Sequence, residues 1–124
     1  MFSVVRYGNV TSSRGSVIPL FEEKIQKKES ITVTDINMTR FNISLSDGVE
    51  MVLWSLKNAF GNEILVPKIN SYNLSDLIKA LNIKKYKTIG VRPGEKIHEE
   101  LINIEESLST IDIGKYYVVL QNRN

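Results

Sequence analysis

Apolar and polar positions alternate along this chain in short blocks whose period keeps changing. Residues 1–5, Met-Phe-Ser-Val-Val, form an apolar run that reads as a strand. Over residues 16–27, Val17, Leu20, Phe21 and Ile25 recur near helical spacing, with Glu22, Glu23, Lys24 and Lys27 on the other side. Ser16 is placed to cap that helix. Ile31-Thr32-Val33-Thr34 is a β-branched strand. Residues 38–44 read as an irregular link. Asp47 with Glu50 three positions on gives a capping-box start, and Val49, Val52, Leu53 and Leu56 an apolar face, for a helix closed by Gly61. Ile64-Leu65-Val66 is a strand stopped by Pro67. Asn73 and Asp76 open a helix with Leu74, Leu77, Ile78 and Leu81 on its apolar side. A strand at residues 88–91, a short helix at 96–102 and a last strand at 116–120 complete the series. Such alternation predicts an α/β fold with βαβ units and a mostly parallel sheet.

The stretch around which the rest is organised is residues 6–19. A strand opens through a polar loop, Tyr7-Gly8-Asn9-Val10-Thr11-Ser12-Ser13-Arg14-Gly15, into a helix start at Ser16 and Val17. Free N–H groups at a helix N-terminus attract anions, and Arg6 and Arg14 can add charge-assisted hydrogen bonds to phosphate. A plain strand-to-helix connection with serine caps uses the same residues.

Length and composition narrow the classes. One domain of 124 residues accommodates a real core, and 42% apolar with 24% charged residues is ordinary for a globular protein. A net charge of +2, with no basic stripe interleaved with aromatics, argues against nucleic acid. No apolar run is long enough for a membrane span and no signal peptide is visible. There is no cysteine, which fits a reducing, cytoplasmic setting, and the single histidine, His98, rules out a histidine-cluster metal site.

Two further stretches carry candidate chemistry. Arg92-Pro93-Gly94-Glu95 follows a strand, where ligands of parallel sheets bind, and offers an arginine for phosphate and a carboxylate for hydroxyls. A surface ion pair across a turn is the alternative. Arg40, in Met38-Thr39-Arg40-Phe41, has the same two readings. His98 is expected as a partly exposed helix residue, and Trp54 as core or interface. No G-x-G-x-x-G, P-loop or G-x-S-x-G occurs, and no tyrosine is followed four residues later by lysine.

Residues 6–19, Ile31-Thr32-Val33-Thr34-Asp35 with Met38-Thr39-Arg40-Phe41, residues 63–69 and residues 92–99 stand in one order. Together they resemble the C-terminal part of the UDP-N-acetylglucosamine 4,6-dehydratases and related polysaccharide-biosynthesis 4-epimerases, of the extended short-chain dehydrogenase/reductase family. The resemblance implies a partial Rossmann-like fold and a set of roles. Asn9 would lie near the sugar diphosphate, Ser16 and Val17 over the nucleotide, and Thr32 and Val33 along the uracil. Arg40 and Arg92 would meet the pyrophosphate, and Glu95 the ribose hydroxyls. Thr11-Ser12 and Asn42 depart from the family pattern near that site. In the family, NAD(P) oxidises the hexose. Its glycine loop and Tyr-x-x-x-Lys pair are missing here, so no catalytic residue and no cofactor site is expected in this chain alone. The expectation is a single UDP-sugar-binding portion of a longer architecture, truncated or split. It would work with an N-terminal Rossmann half or as a homo-oligomer. A 4-epimerase fragment and a stand-alone sugar-nucleotide or anion-binding module are the alternatives.

Overall fold

The computed structural model describes residues 2–14 and 16–121. These fold into nine strands and four helices: β1 (Val4–Val5), β2 (Asn9–Val10), α1 (Val17–Gln26), β3 (Ile31–Val33), β4 (Thr39–Ile43), α2 (Leu45–Asn58), β5 (Glu63–Pro67), β6 (Ser71–Asn73), α3 (Leu74–Ala80), β7 (Tyr86–Thr88), α4 (Ile104–Ser107), β8 (Thr110–Asp112) and β9 (Tyr116–Leu120). The fold is mixed α/β with short parallel pairs and flanking helices. β1 pairs with β5 and β3 with β7 in parallel, whereas β4–β6, β5–β9 and β8–β9 are antiparallel. In place of the mostly parallel sheet expected from the alternation, the parallel pairs β1–β5 and β3–β7 stand beside antiparallel ladders.

The chain divides into two compact units. One comprises the stretch ending at Gly8, Ile43–Asn70, and the stretch from Glu100 onward. Its sheet has the order β1-β5-β9-β8. Met51, Leu65, Tyr116 and Val118 form its core, with Val5, Trp54 and Leu120 packed against them. The Trp54 and Tyr116 rings lie tilted with centroids 5.3 Å apart, a favourable aromatic geometry.

The other unit comprises Asn9–Asn42 and Ser71–Glu99. Its core is Phe21, Ile31, Val33, Met38, Leu74 and Ile78. α3 begins where its residues dictate: the Asn73 side chain accepts from the Ser75 amide. A three-stranded sheet, β2-β4-β6, and the β3–β7 pair complete this unit.

Several expected boundaries move. Residues 39–43 are a strand and not a link, because β2 and β6 flank them on both sides. α2 starts at Leu45, and Ser44 caps it by accepting from the Asp47 amide at 3.0 Å. Asp47 is thus a first-turn acid, and Glu50 pairs with Lys115 at 2.6 Å instead of closing a capping box. The stripe Val49, Val52, Leu53 and Leu56 is between 37% and 78% exposed, and α2 buries Gly48, Met51 and Ser55. The strand expected at 88–91 lies at Tyr86–Thr88, although the Ile89 and Gly90 amides still donate to the Val33 and Thr34 carbonyls. Residues 96–102 are not helical. His98 forms a bridge with Thr39, and the helix comes later as α4, opened by a complete capping box between Asn103 and Glu106.

Candidate nucleotide-sugar site

The sequence-derived site residues Asn9, Arg14, Ser16, Val17, Thr32, Val33, Arg40, Arg92 and Glu95 all belong to the second unit. Four of them surround one feature. Asn9, Arg14, Ser16 and Val17, with Val10 and Ser13, line a cavity of about 350 Å³ at the start of α1. The turn that shapes it is held by the Ser13 amide on the Val10 carbonyl and the Ser16 amide on the Ser13 carbonyl. Ser12 takes a positive φ of 60° there.

Ser16 holds the N-cap position of α1 in extended backbone, but its side chain makes no capping hydrogen bond. Its Oγ is buried and has no partner among the described residues. Such a hydroxyl costs about 1–3 kcal/mol until something pairs with it. Arg14, exposed on the same cavity, makes no hydrogen bond or ion pair with a described residue. A helix N-terminus, an unpartnered hydroxyl and an unengaged guanidinium are chemically suited to an anion.

Arg92 and Glu95 share one turn. The Glu95 amide donates to the Arg92 carbonyl at 3.0 Å. The Glu95 carboxylate accepts from the Arg92 amide at 3.0 Å through Oε2. Gly94, at φ +86°, supplies the left-handed residue that closes the turn. Glu95 therefore points one oxygen into its own turn, and the other has no partner among the described residues. The Arg92 side chain is exposed and without a partner among the described residues.

Thr32 is exposed on β3, opposite Lys87. Val33 is 2% exposed and belongs to the core. Arg40 is the most engaged cation of the set. Its Nη1 donates to the carbonyls of Thr39 at 2.8 Å, Lys96 at 3.3 Å and Ile97 at 3.2 Å. Its Nη2 reaches Met38 Sδ at 3.2 Å, and its Nε lies 3.4 Å from Glu99 Oε1. Tyr72, which faces Arg40 across the β4–β6 ladder, has its hydroxyl pushed above the ordinary range, chiefly by burial. No side-chain hydrogen bond or ion pair among the described residues ties the cavity group to Arg92 or Glu95.

Arg6, read from the sequence as a second phosphate arginine, is already engaged within its own unit. It lies in the other unit and spends its guanidinium on Glu106 and the Leu101 carbonyl. That partner, 100 residues away, carries no signal in the local sequence. His98 was expected on a helix; it stands in the bridge to Thr39, with Nδ1 2.9 Å from Thr39 Oγ1.

A second cavity of about 200 Å³, in the first unit, is lined by Lys68, Lys115 and Tyr116 among others. Both lysines are already paired, with Asp112 and Glu50. Among the described residues, no group of three acidic or histidine side chains could hold a metal, and no helix is long and apolar enough to cross a membrane. β1 runs through Gly8 into β2 and not directly into a helix, so the strand–turn–helix of a dinucleotide fingerprint does not follow β1.

The fold is that of the Rossmann-like short-chain dehydrogenase/reductase epimerases and dehydratases. The chain is a member of the polysaccharide biosynthesis protein family, whose model matches residues 1–121. It is 46% identical over 121 residues to a UDP-N-acetylglucosamine 4,6-dehydratase (inverting) of Campylobacter jejuni subsp. jejuni serotype O:23/36 (strain 81-176). That alignment covers 95% of this chain and 36% of the relative. A UDP-glucose 4-epimerase of Rickettsia bellii (strain OSU 85-389) is 43% identical over 122 residues, covering 94% and 36% respectively. The X-ray structure of Pen from Bacillus thuringiensis superposes with a TM-score of 0.86 at 38% identity, over 97% of this chain and 40% of that one. The UDP-glucose 4-epimerase of Thermotoga maritima, solved with UDP-glucose, shares the fold at a TM-score of 0.64 and 21% identity, over 86% and 38%. The chain thus spans little more than a third of the curated relatives it matches.

Proposed function

We propose that this chain is the UDP-sugar-binding portion of a nucleotide-sugar 4,6-dehydratase of the UDP-N-acetylglucosamine type, acting in surface polysaccharide or glycan synthesis. The observation that carries the reading is the buried, unpartnered Ser16 hydroxyl beside Arg14 at the start of α1. It is a corner prepared for an anion, in a chain whose relatives are named for UDP-sugars. Arg92 and the remaining oxygen of Glu95 supply a second phosphate contact and a ribose contact. The redox chemistry belongs to another segment, an N-terminal Rossmann half or a second polypeptide, working in the cytoplasm. NAD(P) would be held there.

Calorimetric titration tests this directly. UDP and UDP-N-acetylglucosamine should bind, and UMP should bind more weakly because it lacks the second phosphate. Equal binding of UDP and uridine would discard the anion corner. The epimerase reading rests on the Rickettsia relative. It is tested by supplying the missing half and following the sugar: an epimer at C4 with C6 still hydroxylated would replace the dehydratase reading.

A further inference from the structure

β1 and α2 leave one side of the first unit's sheet uncovered. The strand order β1-β5-β9-β8 puts β1 at an edge. The Arg6 amide donates to the Leu65 carbonyl at 2.9 Å, toward β5. Backbone groups of successive strand residues point to opposite sides, so the Val5 N–H and C=O face the open edge. α2 lies over β1, and Val5 packs beneath it with the core that holds Met51. The two flanks of α2 differ. At about 100° per residue, Glu50 and Trp54 fall on one flank and Val49, Val52 and Leu56 on the other. The first flank is engaged toward β9: Glu50 pairs with Lys115 at 2.6 Å, and the Trp54 and Tyr116 ring centroids are 5.3 Å apart. The second flank therefore lies on the β1 side, and its three apolar residues are exposed. Val4, which alternates to the sheet's other face, is exposed as well, and so is Phe2 before it.

We propose that the open edge of β1 and the Val49, Val52 and Leu56 flank of α2 form a docking surface for one further β-strand, apolar on both faces. That strand is carried by the part of the longer relatives that lies outside the aligned region. It would pair with Val5 and cover Val52 and Leu56 on one face of the sheet and Val4 on the other. An unpaired edge with apolar surface beside it on both faces favours pairing with another strand. A strand covered on both faces is apolar throughout, unlike one that alternates. The alignment with the Campylobacter jejuni dehydratase covers 36% of that protein, so nearly two-thirds of it lies outside. A segment tethered to the same polypeptide escapes much of the association cost that a second copy must meet. A second copy would also bring only the two residues of its own β1 to the ladder. The inference deepens the reading that another segment carries the redox chemistry, and it does not depend on the UDP site.

The probe is the portion of the Campylobacter jejuni dehydratase outside the aligned residues, tagged and produced in the same cells as this chain. It should retain this chain on capture. The Val5 amide, fast to exchange in the chain alone, should gain about tenfold or more in protection in the complex. Val49→Glu with Leu56→Glu should abolish retention while leaving the denaturant midpoint of the chain alone nearly unchanged, because both side chains are exposed. Full retention of that variant, or a Val5 amide still unprotected in the complex, overturns the proposal. If the portion does not fold by itself, it is joined to this chain in the relative's own order and Val5 is read in the fusion. Fast exchange there overturns the proposal as well. If Val5 becomes protected in the chain alone at rising concentration, and the portion does not displace that second copy, the occupant is the copy and the proposal falls. A complex that docks in this way but neither binds UDP nor converts a UDP-sugar would sink the reading of function and leave the docking surface standing.

Discussion

Arg6 grips Glu106 with both ends of its guanidinium, Nη1 to Oε2 at 2.8 Å and Nη2 to Oε1 at 2.9 Å, and Nη1 also donates to the Leu101 carbonyl at 2.8 Å. The contact joins the first strand of its unit to the cap of α4, because Glu106 also accepts from the Asn103 amide. The Arg6 hydrogen bond, and then the Asn103 amide, hold the Glu106 carboxyl below its ordinary range. A depressed folded value means the contribution is complete above the unfolded glutamate value, about 4.3, and fades as pH falls through the folded one. Denaturant midpoints should therefore be flat from neutrality down to about pH 5 for this pair and drop below that. Arg6→Ala should cost about 1–2 kcal/mol at pH 7 and flatten the acid limb, since a bidentate, carbonyl-supported pair exceeds an exposed one. An acid limb identical in Arg6→Ala and the parent would show that the pair contributes nothing.

Ser16→Ala should separate stability from binding. It removes a buried hydroxyl that has no partner, so the ligand-free protein should melt no lower than the parent, within about 0.5 kcal/mol, or slightly higher. UDP should then raise the melting temperature less in the variant. A variant that is destabilised yet responds to UDP like the parent would return Ser16 to an ordinary helix-start role.

Glu95 already gives one oxygen to the Arg92 amide. Under the proposed nucleotide reading one oxygen is left for the ribose, which lowers the expected discrimination. UDP should bind better than 2′-deoxy-UDP by a few-fold, about 1 kcal/mol, and Glu95→Gln should narrow the gap. Competition titrations of both nucleotides against both proteins measure it, and equal affinities in the parent would remove Glu95 from the site.

α2 sets up a contrast between its two faces. Met51 is fully buried, so Met51→Ala should destabilise by about 2–5 kcal/mol. Leu53 and Leu56 are 54% and 78% exposed, so Leu53→Glu with Leu56→Glu should leave the denaturant midpoint within about 0.5 kcal/mol. The same pair of changes should reduce self-association, because a contiguous apolar face favours a protein partner. Sedimentation at rising concentration reads this; unchanged association would place the contact elsewhere.

How much of this was legible in the sequence differs from element to element. β3, α1, β5 and α3 followed from β-branched runs, helical spacing and caps, and the Asn73 cap lies where its residue type put it. α2 was legible as a helix but not in its orientation. A periodic stripe says that one face is apolar and not what covers it, and Met51 with two small residues outweighed four larger ones. β4 was missed because Arg40 and Asn42 break the apolar pattern, and a strand with partners on both sides does not need that pattern to hold. The position of Ser16 and Arg14 at the start of α1 was readable from the sequence. The engagement of Arg40 was not, because its acceptors lie 56 and 57 residues away on a segment that itself read as helix.

Each unit is assembled from pieces that are not neighbours in the chain. The first needs the stretch ending at Gly8, Ile43–Asn70, and the stretch from Glu100 onward; the second needs Asn9–Asn42 and Ser71–Glu99. No single cut can release either one. Within the first unit, both closures are long-range: β1 pairs with β5, and Arg6 grips Glu106, 100 residues further along the sequence. Contacts so far apart in sequence require long loops to close, which slows folding.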